Sequence, residues 1–233
     1  MKRVTAIFIC LIACIGLQAQ SDLVKKLESR PYPQWFNEAK LGIFIHYGLY
    51  SIPSYSDKEQ YAERFYKGLI SQDSLRIKFQ KDVFGEDFKY EDYKDLFKAA
   101  LFDANQWAEL FKKAGAKYVV FTSKHHDGFC MFDSATTDYD SVEATPSGRD
   151  YVKEMSDACA EAGIRFGLYF SLIDWHYPHA YPISSHNADF ITPQHHELNK
   201  AQVRELLTSY GPVSELWFDM GSLTPGQSKE LYA

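Results

Sequence analysis

Four short segments of nearly unbroken apolar residues give the clearest pattern in the chain. They cover residues 40–48, 117–126, 165–175 and 214–221. A strand that helices cover on both faces has this continuous apolar character, whereas a strand with one wet face alternates apolar and polar positions. The pattern therefore predicts four strands of a parallel sheet with helices outside it.

Helical spacing of apolar residues marks the segments 104–116, 148–164 and 199–212, and each of these ends near a glycine. Glycine is a common residue at a helix C-terminus. Helices that alternate with strands in this way predict an α/β fold. The predicted buried faces are, in chain order, Trp107, Leu110 and Phe111; Tyr151, Val152, Met155 and Cys159; and Val203, Leu206 and Leu207.

Polar and aromatic residues close each predicted strand, at His46, at His125 with His126, from Ser171 to Trp175, and at Asp219. Functional residues gathered at the carboxyl ends of parallel strands are typical of a (β/α)8 barrel. A doubly wound sheet normally carries a glycine-rich phosphate loop, and the sequence has neither a G-x-G-x-x-G motif nor a P-loop. A TIM-barrel-like fold is therefore the preferred prediction.

A complete barrel needs eight strands, but the pattern supplies four. The sequence ends at Ala233, shortly after the fourth apolar segment. We therefore expect residues 21–233 to be the N-terminal portion of a barrel that is incomplete because the chain is truncated.

The first 20 residues differ from the rest of the chain. Lys2 and Arg3 precede a mostly apolar stretch, residues 4–17, and the small residue Ala19 follows it. This predicts a secretory signal peptide over residues 1–20 and an exported protein, periplasmic or secreted. A lipoprotein anchor on Cys14 is the alternative. No other apolar run approaches membrane length, so the mature chain is expected to have no membrane span.

Composition narrows the class of protein further. A formal net charge of -6 and scattered basic residues argue against a nucleic-acid partner. Aromatic residues make up 16% of the chain, which suits either a ligand groove or an aromatic core. Outside the predicted leader only Cys130 and Cys159 remain, so no disulfide scaffold is expected, and their pairing stays open.

Two adjacent histidines and an aspartate, His125, His126 and Asp127, end the second apolar segment. Successive side chains of a regular strand point to opposite faces, so both imidazoles can enter one pocket only if the chain turns. Gly128 predicts that turn. Three interpretations remain open for these residues: hydrogen bonds to a polar ligand, a metal site, or a structural cluster.

Several blocks of the sequence resemble one enzyme family, and together they cover about residues 33–221. The similarity is to the retaining α-L-fucosidases of glycoside hydrolase family 29. The blocks that carry it are "LGIFIHYGLYSIPSY", "YAERF", "KYVVFTSKHHDGFCMFDSATTDYDS", "GRDYVKEM", "FGLYFSLIDWH" and "ELWFDMG".

The resemblance implies an exo-acting α-L-fucosidase in which Asp219 is the nucleophile. Attack by this carboxylate would form a fucosyl-enzyme intermediate that water hydrolyses with retention. The implied partner is a fucosylated glycan, with no cofactor and no metal; the oligomeric state stays open. Two alternatives remain: a fucose-binding or inactive truncated homologue, and a metal-dependent barrel hydrolase that uses His125, His126, Asp127 and Asp219.

The resemblance also implies which residues bind the sugar. They are His46, His125, His126, Tyr61, Glu63, Tyr169 and Trp217. Trp217 would supply an apolar wall for the methyl group of fucose. Arg64 stands where many relatives have Trp, a departure that puts contacts beyond the fucose in doubt. The general acid of the family usually follows the nucleophile at a distance, so we expect it to be absent from this chain.

Overall fold

The computed structural model describes residues 25, 28–58, 60–183 and 189–232. The chain divides into two compact units, residues 1–40 and 41–233. Helix α1 (Gln34–Ala39) belongs to the first unit, and all other elements named below belong to the second. The predicted leader, with Cys14, lies outside the described residues. In the part of the chain that is described, no helix combines the length and apolar character of a bilayer span.

The second unit is built on a four-stranded parallel sheet. Its strands are β1 (Gly42–Ile45), β2 (Tyr118–Lys124), β3 (Arg165–Ser171) and β4 (Val213–Asp219). They lie side by side in chain order. A doubly wound sheet reverses its strand order at a switch point, whereas a (β/α)8 barrel keeps neighbouring strands in sequence. The predicted strands and the α/β fold are confirmed.

The sheet is strongly curved. Strands β1 and β4 are three strand spacings apart, which is about 14 Å in a flat sheet. Even so, the rings of Phe44 in β1 and Trp217 in β4 have centroids 5.1 Å apart. Both residues therefore lie on a concave face, as expected for strands that form part of a barrel wall.

Helices connect the strands. The β1–β2 connection contains α2 (Phe65–Ile70), α3 (Ser74–Phe84), α4 (Tyr93–Leu96) and α5 (Ala104–Lys113). It also has short 3₁₀ turns at Leu49–Ser51, Ala62–Arg64 and Tyr90–Asp92. After β2 and β3 come α6 (Tyr151–Ala162) and α7 (Pro193–Ser209), and α8 (Pro225–Tyr232) follows β4.

Side-chain caps set where the longer helices begin. Asp103 accepts a hydrogen bond from the backbone N–H of Gln106, and Asp150 accepts one from Lys153. Thr192 accepts one from the backbone N–H of His195. Such caps satisfy N–H groups that have no partner within the helix. Because Thr192 caps α7, this helix begins six residues before the predicted segment at residue 199.

Two predicted core positions are wrong. Leu110 is 63% exposed and Leu207 is 47% exposed. Helix α5 packs through Ala104, Ala108 and Phe111 instead. Neighbouring positions on an α-helix are about 100° apart, so the face that buries Phe111 turns Leu110 towards solvent. The predicted face of α6 is confirmed, because Tyr151, Val152, Met155 and Cys159 are all buried.

Aromatic side chains form much of the core. The fully buried rings include Phe65, Tyr93, Phe121, Phe129 and Phe170. Much of the high aromatic content therefore serves packing. Cys130 and Cys159 are both buried and both are free thiols, which settles the pairing that the sequence left open.

Candidate active site

The turn after β2 presents two imidazoles at the carboxyl end of the sheet. Strand β2 ends at Lys124, so His125 and His126 lie beyond it. The N–H of Gly128 donates to the carbonyl of His125 at 3.1 Å, and Gly128 has φ +78°. A Cβ on this glycine would lie 2.2 Å from Oδ1 of Asp174. The turn predicted at Gly128 is confirmed, and glycine is required there for both reasons.

Asp219 is the last residue of β4 and lies beside Ser171 of β3 in the strand register. Its Oδ2 accepts a hydrogen bond from the hydroxyl of Tyr169 at 2.7 Å. The side chain is 35% exposed, so part of the carboxylate remains open to solvent. The next residue, Met220, has φ +51°, a conformation uncommon for a residue other than glycine. Asp219 thus lies where the chain leaves the sheet abruptly.

His126 is the imidazole nearest to that carboxylate. Its Nε2 lies 3.6 Å from Oδ2 of Asp219, and its Nδ1 lies 2.6 Å from Oγ of Ser171. The ring of Trp175 packs against it, with centroids 5.0 Å apart. Burial lowers the pKa of His126 to about 3, although the charge of Asp219 acts in the opposite direction. The ring is therefore neutral near pH 7.

His125 and His46 complete a cluster of rings around Tyr169. The His125 ring stacks on Tyr169 with centroids 5.3 Å apart, and His46 lies 4.8 Å from Tyr169 and 5.1 Å from His125. Burial lowers the pKa of His125 well below its ordinary value. Desolvation also lowers the pKa of His46, against the charges of Glu63 and Asp219. The structure thus brings together five of the predicted site residues.

An apolar surface adjoins the imidazoles. Phe44 packs against Trp217 and also against His46, with ring centroids 5.1 Å apart in both pairs. Phe44 is 41% exposed and Trp217 is 49% exposed. An apolar wall therefore stands beside the hydrogen-bonding groups, a combination common in pockets for small polar ligands.

Tyr61 and Glu63 differ in their relation to this cluster. Glu63 lies in the 3₁₀ turn Ala62–Arg64, and its charge raises the pKa of His46. Tyr61 is 61% exposed, and the guanidinium of Arg64 lies 5.7 Å from its ring centroid. Glu63 thus acts electrostatically on the cluster, whereas Tyr61 is exposed and its described contact is with Arg64.

A buried layer supports the turn that carries the histidines. Tyr90 donates a hydrogen bond from its hydroxyl to Oδ2 of Asp127 at 2.6 Å, and the N–H of Phe129 donates to Oδ1 of Asp127. Burial raises the pKa of Asp127 to about 7. No sequence pattern indicates the role of Tyr90, because it lies 37 residues before its partner in the β1–β2 connection.

Lys124, the last residue of β2, holds the start of the same turn in place through buried contacts. Its ammonium is completely buried and donates to Oδ1 of Asn199 and Oε1 of Gln202, at 3.2 and 2.9 Å. Asp174 lies 3.9 Å from the same nitrogen. Burial lowers the pKa of Lys124, while the charge of Asp174 raises it. These contacts tie the end of β2 to helix α7.

The metal-site interpretation finds no geometric support within the described residues. No group of three or more histidine, cysteine, aspartate or glutamate side chains in that part of the chain has an arrangement that could hold a metal ion. Asp127, one of the residues in that interpretation, directs its carboxylate to Tyr90.

The curved parallel sheet, with a carboxylate and several imidazoles at its carboxyl end, has the architecture of a barrel enzyme. The chain matches the family profile described as alpha-L-fucosidase over residues 17–231. The chain belongs to the alpha-L-fucosidase family.

Known proteins agree with this assignment. The chain is 38% identical to plasma alpha-L-fucosidase of Homo sapiens over 208 residues, which are 87% of this chain and 42% of that protein. It is 36% identical to alpha-L-fucosidase of Dictyostelium discoideum over 226 residues, which are 94% of this chain and 48% of that protein. The chain thus spans about half the length of the curated relatives it matches.

Solved structures of alpha-fucosidases also resemble this chain in fold. The fold matches a crystal structure of Thermotoga maritima alpha-fucosidase with a TM-score of 0.78 at 39% identity, covering 89% of this chain and 51% of that one. It also matches the Thermotoga maritima alpha-fucosidase in complex with fucose, with a TM-score of 0.77 at 38% identity, over the same shares of the two chains. The predicted family resemblance is confirmed, and the fold corresponds to part of these larger domains.

Proposed function

We propose that this protein is an exo-acting α-L-fucosidase that hydrolyses terminal α-L-fucosyl linkages of glycans with retention. The observation that carries the proposal is the position of Asp219, whose Oδ2 lies 2.7 Å from the Tyr169 hydroxyl and 3.6 Å from the His126 ring. Family membership supports the substrate class. An ionised carboxylate in such a position can attack the anomeric carbon and stabilise the positive charge of the transition state.

The remaining residues have binding roles in this proposal. The imidazoles of His46, His125 and His126 offer donors and acceptors for sugar hydroxyls. Trp217, with Phe44, provides an apolar surface for the methyl group of a 6-deoxy sugar. Burying a methyl group there favours fucose over a hydroxymethyl sugar by roughly 1 kcal/mol.

Three further roles are part of the proposal. Glu63 and Tyr61 line the sugar site at its margin.

A retaining mechanism also needs a protonated carboxyl about 5–5.5 Å from the nucleophile, and no described residue is assigned to that role. Residues 1–20 direct export, so the natural substrates are fucosylated glycans outside the cytoplasm.

Covalent trapping tests the proposal directly. A 2-deoxy-2-fluoro fucosyl donor slows breakdown of the intermediate, so the fucosyl group remains attached to the nucleophile. Digestion and mass spectrometry are expected to find the label on the peptide that contains Asp219. Label on another carboxylate would contradict the assignment, and sugar binding without any label would favour a binding protein.

Chemical rescue provides a second test. Asp219→Gly removes the attacking carboxylate, and we expect hydrolysis of an aryl α-L-fucoside to fall by several orders of magnitude, on the order of 10⁴-fold. Azide can occupy the space that the carboxylate leaves and attack in its place, so it is expected to restore part of the activity. The wild type serves as the control, because azide should not accelerate it.

A further inference from the structure

Ser171 lies beneath His126 at the end of β3 and makes two short contacts. Its Oγ lies 2.6 Å from the carbonyl oxygen of Ile173 and 2.6 Å from Nδ1 of His126. Ser171 is completely buried and His126 is 1% exposed. Water therefore does not replace either contact.

The two contacts of Ser171 determine the direction of both hydrogen bonds. A serine hydroxyl has one proton to donate, whereas a carbonyl oxygen can only accept. The hydroxyl proton of Ser171 must therefore be donated to the carbonyl oxygen of Ile173. Otherwise lone pairs of the two oxygens would face each other at 2.6 Å and repel. The lone pairs of Ser171 then face Nδ1 of His126, which must carry a proton to make the second hydrogen bond. A neutral imidazole has one proton, so Nε2 has none.

We infer that Ser171 is a positioning residue that holds His126 in the Nδ1–H tautomer, so that Nε2 accepts a hydrogen bond from a hydroxyl of the bound sugar. The sugar as ligand rests on the proposed function, whereas the tautomer rests on the contacts of Ser171 alone. Nothing in the sequence indicates this role, because Ser171 and His126 are 45 residues apart.

The tautomer has a consequence for the neighbouring carboxylate. Nε2 of His126 and Oδ2 of Asp219 are 3.6 Å apart, and both are acceptors in this state. The opposite tautomer would direct an N–H towards Asp219 and engage the lone pair that the proposed reaction uses. In the Nδ1–H form no imidazole proton points at Asp219. Nε2 of His126 and Oδ2 of Asp219 are then two neighbouring acceptors. A hydroxyl donor satisfies this pair, whereas an anionic ligand does not.

Nitrogen NMR of the whole protein, labelled with ¹⁵N-histidine, tests the tautomer without any substrate. The two ring nitrogens of a neutral histidine resonate far apart, depending on which one carries the proton. The signals lost in His126→Asn identify His126. We expect Nδ1 to be protonated and Nε2 to be bare near pH 7. A proton on Nε2 in the wild type would overturn the inference.

Variants of Ser171 test its role. Ser171→Ala removes the acceptor for Nδ1–H, so a mixture of tautomers and a fall of about tenfold in kcat/KM for an aryl fucoside are expected, the effect of one buried hydrogen bond. Ser171→Thr keeps the hydroxyl and should retain the Nδ1–H signals. If Ser171→Ala does not fold, Ser171→Cys, whose sulfur is a weak acceptor, carries the same test.

Ser123→Ala is the matched control. Ser123 is also completely buried at the end of a strand, and its hydroxyl donates to the carbonyl of Tyr169 at 2.7 Å. This variant loses a similar hydrogen bond but is expected to leave the His126 signals unchanged. Unchanged tautomer signals in Ser171→Ala would overturn the inference. A protein with the expected tautomers that hydrolyses no fucoside would contradict the proposed function alone.

Discussion

The hydroxyl of Tyr169 donates a hydrogen bond to Oδ2 of Asp219 at 2.7 Å, across the junction of strands β3 and β4. This contact orients the carboxylate, while the ring of Tyr169 packs against both His46 and His125. The same side chain therefore links the acidic group of the site to its imidazoles.

Removal of that donor is expected to impair the proposed reaction. A hydrogen bond to a charged group contributes about 1.5–3 kcal/mol, so Tyr169→Phe should lower kcat/KM for an aryl fucoside by roughly 10- to 150-fold. Tyr151→Phe is the control, because its hydroxyl bonds to Ser147 in another part of the fold. Equal losses in the two variants would contradict the role given to Tyr169.

Gly128→Ala is expected to destabilise the turn that presents the histidines. A left-handed conformation costs a non-glycine residue about 1–2 kcal/mol, and the clash of its Cβ with Asp174 should add roughly 1–3 kcal/mol. Gly163→Ala is the matched control, because Gly163 has φ +73° and open space around its Cβ position. Urea unfolding should show a larger loss in the free energy of unfolding for Gly128→Ala than for Gly163→Ala. Similar losses would contradict the clash, because they would mean that the Asp174 side chain moves away from the new Cβ at little cost.

Replacement of Lys124 should destabilise the whole unit. Lys124→Met leaves the acceptors of Asn199 and Gln202 without a donor and leaves Asp174 without its cation, so a loss of about 3–5 kcal/mol in the free energy of unfolding is expected. Lys78→Met removes an exposed lysine that pairs with Asp82 and should hardly change the urea midpoint. A loss no larger than that of the control would contradict the importance of the buried ammonium.

Asp127 predicts a specific dependence of stability on pH. Its pKa is about 7 in the folded protein and about 3.9 in an unfolded chain. Between these values the folded state binds more protons, so the contribution of this group to the free energy of unfolding falls as the pH rises.

Asp127→Asn removes this dependence. The free energy of unfolding of the variant minus that of the wild type should therefore rise from about pH 4 to pH 7, by up to about 1.4 kcal/mol per pH unit. The buried histidines contribute with the opposite sign, but they are common to both proteins and cancel in the difference. A difference that stays constant with pH would contradict the raised pKa.

Sequence patterns predicted the sheet well, because continuous apolar runs mark strands that are covered on both faces. Helix α3 (Ser74–Phe84) was not predicted, because Arg76 and Gln80 are its buried residues and give no apolar periodicity. The predicted burial of Leu110 is wrong, because its helix packs through two alanines and Phe111. Apolar spacing alone does not tell which side of a helix meets its neighbour.

The candidate site could be predicted only for residues that lie within a short sequence block resembling the family. The resemblance around His125, His126 and Asp219 gave three residues that the structure brings together. The contact of Ser171 with His126 depends on where β2 ends and on the register between β2 and β3. Hydrogen bonds of this kind come from the alignment of distant segments, which a single sequence does not reveal.

The order of the strands has a consequence for biosynthesis. A ribosome makes the chain from its N-terminus, so β1, β2 and β3, with their imidazoles and Tyr169, are complete before β4 emerges with Asp219. The nascent chain therefore first acquires most of the residues proposed to bind the sugar, and Trp217 among them comes only with β4. The group proposed to attack that sugar arrives later, when β4 joins the growing edge of the sheet.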